Sequence, residues 1–328
     1  MKGKYSFSIY LIVIIGVIFT FVFCKNGNNE KSGFAAKDLN SSASFQLRYL
    51  DYQKPILTFP VRDEIDTTTW IQGASVNQKE NELYIARQSN GGTVLTIEIR
   101  NLSTGKIKGS KYLPIQTNTY AEGLPWFKNS SGDLCFFVRQ IPADKISIFN
   151  YTKNKVERSF TLLGGSKIGY DFNKKYIVTC NAKIDSIFVY DFESVMQGTP
   201  QLLHTIHLNN KKVLFEKPQG LTIYGDLIIF SQGGRNGKPA ISVINFEGKV
   251  ENVFYFNRSS YANMIKNSYP NLISNNLNYD FENEGIFMYK YNGILYPALV
   301  QIINGKTIIV LTGVMDGILI NRQSLHIN

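Results

Sequence analysis

The chain has 328 residues, of which 44% are hydrophobic and 13% aromatic, and this excludes a disordered protein because the apolar content can form a sizeable core. Its formal net charge is +10 at pH 7. Such a basic balance suits an anionic partner such as a phosphate-bearing polymer, an acidic glycan or a lipid headgroup, or it serves solubility alone.

The first 24 residues are typical of an export signal. Lys2 and Lys4 precede the uncharged apolar run 7–23, and Cys24 follows directly. A cysteine in this place, followed by a polar segment, resembles a bacterial lipoprotein lipidated at Cys24, although Phe23 stands where a small residue is usual. An uncleaved membrane anchor and plain secretion are the alternatives. All three place the rest of the chain outside the cytoplasm, in or at the cell envelope.

The polar composition of residues 25–44 is typical of a flexible tether, so the folded domain is predicted to span residues 45–328. Tyr, Phe, Ile, Val and Thr are frequent in that domain and helical periodicity is scarce, which favours an all-β fold. Cys135 and Cys180 each lie in an apolar run. They are predicted to be buried free thiols, with a disulfide between them as the alternative.

Five segments of this domain share one pattern, in which an acid or amide followed by glycine opens a short apolar run and a second run ends in an amide. The glycines are Gly73, Gly123, Gly169, Gly220 and Gly285. The residues before them are Gln72, Glu122, Ile168, Gln219 and Glu284, so that only the third unit lacks an acid or amide. The amides that end the second runs are Gln88, Gln140, Asn181, Gln232 and Gln301.

Two more β-type runs follow in each of the first four units, and one follows in the last. Four short strands in a unit of about 45–50 residues predict a β-propeller with five blades, each a four-stranded antiparallel sheet. An N-terminal strand within residues 45–61 is expected to complete the last blade, which removes an exposed sheet edge. Residues 257–280 are an insert that could hold a short helix near residues 261–266.

The repeated acids and amides are predicted to gather at one mouth of the central channel. The start of one antiparallel strand lies beside the end of the next, and the first strand of each blade lines the channel. The predicted ligand-binding residues are Gln72, Glu122, Gln219, Glu284, Gln88, Gln140, Gln232 and Gln301, with Arg87 and Arg139 placed to meet an anion. The alternative is that the amides tie neighbouring blades together by bonding backbone groups. Trp70, Tyr120 and Trp126 could stack on sugar rings or pack in the core.

Enzymatic motifs are scarce in the sequence. His204 and His207 face opposite sides of a predicted strand, and His326 stands near the C-terminus, so no metal site is predicted and no cofactor is expected. One catalytic alternative uses Glu122 and Glu284 as the two carboxylates of a glycoside hydrolase.

The Gln-Gly openings, the second strands that end in Gln, and Glu284-Gly285-Ile286 resemble the five-bladed propeller shared by some staphylococcal phage receptor-binding proteins, the teichoic-acid-associated protein TagC and the bacteriocin helveticin J. The resemblance covers about residues 45–328 and implies recognition of cell-envelope glycopolymers without catalysis. We therefore expect a membrane-tethered monomer that binds an anionic envelope glycopolymer or other carbohydrate, and no nucleic acid. A propeller glycoside hydrolase and a protein-interaction scaffold lipoprotein are the alternatives.

Overall fold

The computed structural model describes residues 47–50, 57–60, 69–89, 94–113, 122–140, 145–165, 167–171, 173, 175–181, 185–208, 218–234, 239–256, 281–291, 294–303 and 306–311. They all belong to one compact unit, Phe45–Asn328. The predictions for Cys24, the tether, Tyr120, His326 and the insert 257–280 lie outside these residues. Within them, no helix combines the length and the hydropathy needed to cross a membrane.

Twenty-one strands form five sheets in the described part of the chain. Two strands come before the first unit, namely β1 (Leu47–Leu50) and β2 (Leu57–Pro60). Sheet 1 contains β3 (Thr69–Asn77), β4 (Glu82–Ser89), β5 (Leu95–Asn101) and β6 (Ile107–Tyr112). Sheet 2 contains β7 (Trp126–Lys128), β8 (Leu134–Gln140), β9 (Lys145–Asn150) and β10 (Lys155–Thr161).

The remaining strands complete three more sheets. Sheet 3 contains β11 (Lys167–Tyr170), β12 (Tyr176–Cys180), β13 (Ser186–Asp191) and β14 (Leu202–His207). Sheet 4 contains β15 (Pro218–Tyr224), β16 (Leu227–Gln232), β17 (Ala240–Asn245) and β18 (Val250–Phe256), with β1 added. Sheet 5 contains β19 (Phe281–Tyr291), β20 (Ile294–Ile303) and β21 (Lys306–Leu311), with β2 added.

The all-β prediction is confirmed for the described residues, and the predicted unit is confirmed in four sheets. Sheets 1, 2, 3 and 5 are four-stranded and antiparallel. The expected count of five such units is wrong by one, because sheet 4 has five strands. In it, β1 pairs parallel with β18, Leu47 opposite Val253 and Leu50 opposite Phe256. This extra strand covers the outer edge of sheet 4.

The N-terminal strands attach to two different sheets. β2 pairs antiparallel with β21, Leu57 opposite Leu311 and Pro60 opposite Ile308, and so completes sheet 5. This is the pairing that the sequence predicted for the last unit. β1 instead lies on sheet 4. Sequence reasoning had assigned residues 45–61 to one closing strand, and the structure divides them between two neighbouring edges.

The core lies between successive sheets, because each strand sends alternate side chains to its two faces. Leu134, Phe136 and Val138 of β8 pack with Tyr84 and the rest of sheet 1. Cys135 and Phe137 of the same strand pack towards sheet 3. Sheets 3 and 4 share another apolar cluster, β15 contacts β19, and β19 contacts β3. The five sheets therefore follow one another around a closed ring, which is the arrangement of a β-propeller.

One short helix, α1 (Phe192–Gln197), interrupts sheet 3 between β13 and β14. Asp191 caps it by accepting a hydrogen bond from the backbone N–H of Ser194, and Gly198 ends it at a φ of 85°. Phe192 and Val195 are buried in the cluster between sheets 2 and 3. The sequence analysis had assigned only strands to this segment, since six residues are too few to show a helical period.

Cys135 and Cys180 are free and buried, as predicted. Burial raises the pKa of each thiol to about 12, so almost no thiolate is present at neutral pH. We expect neither cysteine to react with iodoacetamide in the folded protein at pH 8, and both to react once it is denatured without reductant. Peptide mass spectrometry identifies the modified sites.

A Leu163→Cys variant is the control for this experiment, because Leu163 is 54% exposed and a thiol there should react at once. If Cys135 and Cys180 react only after a reductant is added to the denatured chain, they form a disulfide and the structure is wrong at this point.

Candidate functional site

The candidate site is the mouth, which we define as the end of the ring where the first strand of each sheet begins and the second strand ends. The first strands run in the same direction. This is seen directly in the parallel bridge between Asp171, just after β11, and Ile223 of β15. All ten predicted ligand-binding side chains are therefore carried to this end. We call the opposite end the base.

Three residues of the repeated pattern sit in β-bulges. On β3, Ile71 pairs with Arg87 and Gly73 with Ala86, which leaves Gln72 as the extra residue. On β15, Gln219 is the extra residue between Pro218 and Gly220. On β19 the register shifts between Asn283 and Ile286, around Glu284. A bulge redirects the side chain of its extra residue, so these bulges set the directions of the mouth side chains.

Sheets 2 and 3 lack a bulge at the corresponding position of their first strands. β11 pairs with β12 without a bulge, and Ile168 packs in the core between sheets 2 and 3. In sheet 2, β7 begins only at Trp126, and Glu122 and Gly123 lie in an irregular segment before it. Leu124 has a φ of 40° there, which is rare outside glycine. The predicted ring of equivalent positions is therefore broken at Glu122.

Below the polar side chains, the glycines bring the backbones of neighbouring sheets into contact. A Cβ on Gly123 would overlap the carbonyl oxygen of Ile168 and lie 2.9 Å from its carbonyl carbon. A Cβ on Gly285 would lie 3.1 Å from the Cα of Gly73. At Gly123 this leaves no room for a side chain, so glycine is required there, while at Gly285 the neighbouring backbone would have to shift by a few tenths of an ångström.

The irregular segment of sheet 2 crosses towards the far side of the ring. The carbonyl oxygen of Glu122 lies 3.1 Å from a Cβ built on Gly220 and 3.0 Å from one built on Gly285. Sheet 2 thus touches sheets 4 and 5 at this level. The glycines and the Glu122 carbonyl group therefore form a layer of closely spaced backbone across the ring, which we call the floor of the mouth.

Arg87 at the mouth is paired within sheet 1 through Glu98, which also pairs with Arg100 near the base end of β5. The Nε of Arg87 lies 2.7 Å from Glu98 Oε1, and the Nη2 of Arg100 lies 2.8 Å from Glu98 Oε2. All three residues are buried. A carboxylate that accepts from two guanidinium groups is well compensated, so Arg87 contributes to the structure of sheet 1.

A second buried ion pair joins sheets 2 and 3. The Lys167 ammonium contacts Glu122 Oε2, and the two side chains are only 6% and 10% exposed. Burial raises the pKa of the nearby Cys180 thiol, and Glu122 raises it further, whereas Lys167 and Arg139 lower it. Sequence reasoning missed Lys167 and Glu98, because neither belongs to the repeated pattern.

Three of the six predicted glutamines bond other polar side chains. The Nε2 of Gln219 donates to Glu282 Oε1 at 2.8 Å and so joins sheet 4 to sheet 5. Gln301 donates to Asn283 Oδ1 at 3.0 Å, and Asn283 in turn donates to the carbonyl oxygen of Gln232 at 2.8 Å. The side chain of Gln232 donates to Ser242. Of these three amides, only Gln219 joins two sheets through its side chain, and its partner is a carboxylate, whereas Gln301 and Gln232 bond side chains of their own sheets.

Two serine hydroxyls also bond backbone carbonyl groups of a neighbouring sheet, and one asparagine side chain organises a turn. Ser231 donates to the carbonyl oxygen of Glu284 at 2.9 Å, and Ser75 donates to that of Leu124 at 2.8 Å. Asn181 Oδ1 accepts from the backbone N–H of Asp185 at 3.1 Å, so its side chain organises the turn after β12.

Gln72 and Gln140 differ from the other amides. Their residues are 7% and 6% exposed, yet neither side-chain amide has a hydrogen-bond partner among the residues that the structure describes. Gln140 follows Phe136 and Val138 at even spacing on β8, so it faces sheet 1. Gln88 faces sheet 2 by the same alternation from Tyr84 and Ala86. These amides border the mouth end of the cluster between sheets 1 and 2.

Of the three aromatic residues predicted for the mouth, the structure describes only the side chain of Trp126. Trp126 packs against the core between sheets 1 and 2, with its ring edge-on to Tyr84 at 5.4 Å. Its Nε1 donates to the carbonyl oxygen of Val76 at 3.0 Å. The core role predicted for Trp126 is the one observed.

The geometry does not favour catalysis by Glu122. A general acid or a nucleophile needs a carboxylate directed at the substrate, whereas Lys167 occupies Glu122 Oε2. The described residues also contain no cluster of His, Cys, Asp and Glu able to hold a metal ion.

Comparison with known proteins supports the fold. No protein-family model and no curated protein sequence matches the chain. The glutaminyl cyclase of Myxococcus xanthus superposes with a TM-score of 0.50 at 14% identity, over 78% of this chain and 94% of that one. A luciferin-regenerating enzyme superposes with a TM-score of 0.42 at 10% identity, over 78% of this chain and 95% of that one. At 14% identity, the likeness to the glutaminyl cyclase shows the propeller fold alone.

Proposed function

We propose that the protein is an exported, envelope-tethered β-propeller that binds an anionic envelope glycopolymer or another carbohydrate at its mouth, without catalysis. In this proposal the five sheets act as the five blades of one propeller. The observation that carries it is the pair Gln72 and Gln140, two residues that are 7% and 6% exposed and whose side-chain amides bond no described residue. The resemblance of the repeated pattern to envelope-binding propellers supports the same class of ligand.

An amide suits a sugar hydroxyl because it both donates and accepts hydrogen bonds, as a hydroxyl does. The buried charges of the mouth are already paired, so they add little to the attraction of an anion. Lys145 begins β9 opposite Gln140 and is exposed. With the net charge of +10, such exposed lysines attract a phosphate-bearing polymer, while the amides hold its sugar or polyol groups.

The test is retention of the protein on immobilised wall teichoic acid or another anionic envelope glycopolymer. Gln72→Ala and Gln140→Ala should each weaken binding about three- to tenfold, since each removes hydrogen bonds worth about 0.5–1.5 kcal/mol. The melting temperature should stay unchanged, because these amides tie no sheets together. Biolayer interferometry at two salt concentrations measures both the affinity and its electrostatic part.

Gln201→Ala is the matched control, because Gln201 is exposed and precedes β14 at the base. It should bind like the unsubstituted protein. If all three variants bind equally, the mouth is not the binding site. If the unsubstituted protein binds none of the polymers, the proposed function is wrong.

A further inference from the structure

Sheet 2 carries a row of three polar side chains at its mouth end, on the face towards sheet 1. Lys145 of β9 pairs with Gln140 of β8 on one side and with Thr161 of β10 on the other. Residues directly opposite each other in neighbouring strands point to the same face of a sheet. Gln140 faces sheet 1, so Lys145 and Thr161 face it as well. We call these three residues the polar row.

The alternation along β9 and β10 gives the same orientation. Phe149 packs between sheets 1 and 2, and Lys145 precedes it by an even number of residues. Ile146 and Phe160, which are the chain neighbours of Lys145 and Thr161, pack instead in the cluster between sheets 2 and 3. At this level the face towards sheet 3 is therefore apolar, and the face towards sheet 1 is polar.

The outer part of the polar row is accessible to a ligand, because Lys145 and Thr161 are exposed. Towards the base, a contact between the two sheets bounds the same cleft. The ammonium of Lys111 on β6 donates to the carbonyl oxygens of Tyr151 at 2.6 Å and Thr152 at 3.1 Å. The polar row therefore lies on an accessible surface between sheets 1 and 2 that is closed towards the base.

The lysine of the polar row is peculiar to sheet 2. In every sheet, one residue of the third strand pairs with, or hydrogen-bonds to, the amide that ends the second strand. These residues are Leu95, Lys145, Ser186, Ala240 and Ile308. Only Lys145 among the five is charged, and Leu95 and Ala240 are fully buried. The repeat is built without an ammonium group here in the other sheets, so Lys145 has no role that the fold requires.

The three groups of the polar row suit a ligand that carries an anion beside a hydroxyl group. Neighbouring strands lie about 4.8 Å apart, so the amide, the ammonium and the hydroxyl follow one another at about that interval. The ammonium and the threonine hydroxyl both donate hydrogen bonds, as an anionic oxygen requires. The Gln140 amide donates and accepts, as a sugar or polyol hydroxyl requires.

We propose that Lys145 and Thr161 bind the anionic group of the ligand while Gln140 binds a hydroxyl group next to it. This deepens the proposed function and rests on it. The polymer then lies across sheet 2, from the mouth towards the outer edge, and does not enter the central channel. Internal repeat units of a long polymer are bound in this way as well as its ends.

The experiment measures binding of the unsubstituted protein, Lys145→Gln and Lys155→Gln to immobilised poly(glycerol phosphate) at two salt concentrations. Lys155 is the matched control, because it is an exposed lysine of the same sheet that pairs with Asn150 at the base. Each variant lowers the net charge by one. Lys145→Gln should weaken binding about threefold or more and reduce its salt dependence, whereas Lys155→Gln should change binding less than about 1.5-fold.

Thr161→Val tests the hydroxyl of the polar row separately, since valine keeps the shape of threonine without the donor. It should weaken binding about twofold or more at an unchanged melting temperature. Unchanged binding by this variant would remove Thr161 from the site.

Two further polymers identify the source of the negative charge. Hyaluronan carries carboxylates and dextran is neutral. Tighter binding of poly(glycerol phosphate) than of hyaluronan assigns a phosphate to the site, and the reverse order assigns a carboxylate. Dextran bound as tightly as the two anionic polymers would overturn the proposal.

The proposed function and the polar row fail in different ways. If Lys145→Gln and Lys155→Gln lose equal affinity, the net charge alone attracts the polymer, and the polar row is not its site although the protein still binds it. If the unsubstituted protein binds none of the three polymers, the proposed function itself is wrong.

Discussion

Gly123→Ala should lower the free energy of unfolding by roughly 3 kcal/mol or more, and the variant should accumulate poorly in a folded form. The added methyl group would overlap the carbonyl oxygen of Ile168 and stand 2.9 Å from its carbonyl carbon. That neighbour is backbone, so it cannot rotate away, and the strain falls on the contact between sheets 2 and 3. Urea denaturation followed by circular dichroism measures the loss.

Gly234→Ala is the matched control for this substitution. A Cβ there would lie 3.5 Å from Glu282 Oε1 and 3.8 Å from Gln219 Nε2, which is ordinary contact. The variant should keep its stability within about 1 kcal/mol, because the gain from a less flexible unfolded chain is of that size. Similar stability of the two alanine variants would show that the floor of the mouth is not closely packed backbone.

Lys167→Met should cost about 3–5 kcal/mol of unfolding free energy, because it leaves the Glu122 carboxylate buried without its cation. The double variant Lys167→Met with Glu122→Gln should regain most of that loss, since no unpaired charge is then buried. Thermal and urea unfolding of Lys167→Met, Glu122→Gln, the double variant and the unsubstituted protein gives the four free energies of a double-mutant cycle.

Lys128→Met is the control for the ion pair. Lys128 pairs with Glu80 between sheets 2 and 1, but these side chains are 44% and 39% exposed. An exposed pair contributes about 0–1 kcal/mol, so this variant should lose little stability. If Lys167→Met were as mild as Lys128→Met, the pair at the mouth would be solvated, and Glu122 would again be a candidate for contact with a ligand.

The repeat was visible in the sequence because strands have a period of two and because each hairpin is bounded by glycine and an amide. The same pattern marked the bulges at Gln72 and Gln219, since a bulge beside a crowded axis needs a neighbouring glycine. Ile168, which breaks the pattern, also lacks the bulge. The sequence pattern therefore coincides with the bulges at these positions, although it predicted only the repeat and not the bulges themselves.

Partners that are distant in the sequence could not be predicted in this way. Gln219 looked like a ligand-binding residue until the structure placed Glu282 within 2.8 Å of its Nε2. One signal was nevertheless present. Pro125 cannot donate a strand hydrogen bond, which indicates that β7 starts late.

The pairing of β2 with β21 also determines when the propeller can be completed. Leu57 and Leu311 are partners although almost the whole folded domain lies between them in the sequence. Bringing them together requires closure of a very long loop, which is a slow step for any chain. Because the chain is synthesised from its N-terminus, β2 has no partner until β21 has been made. Sheet 5 is therefore the last to be completed, and a chain that ends before β21 leaves the ring open.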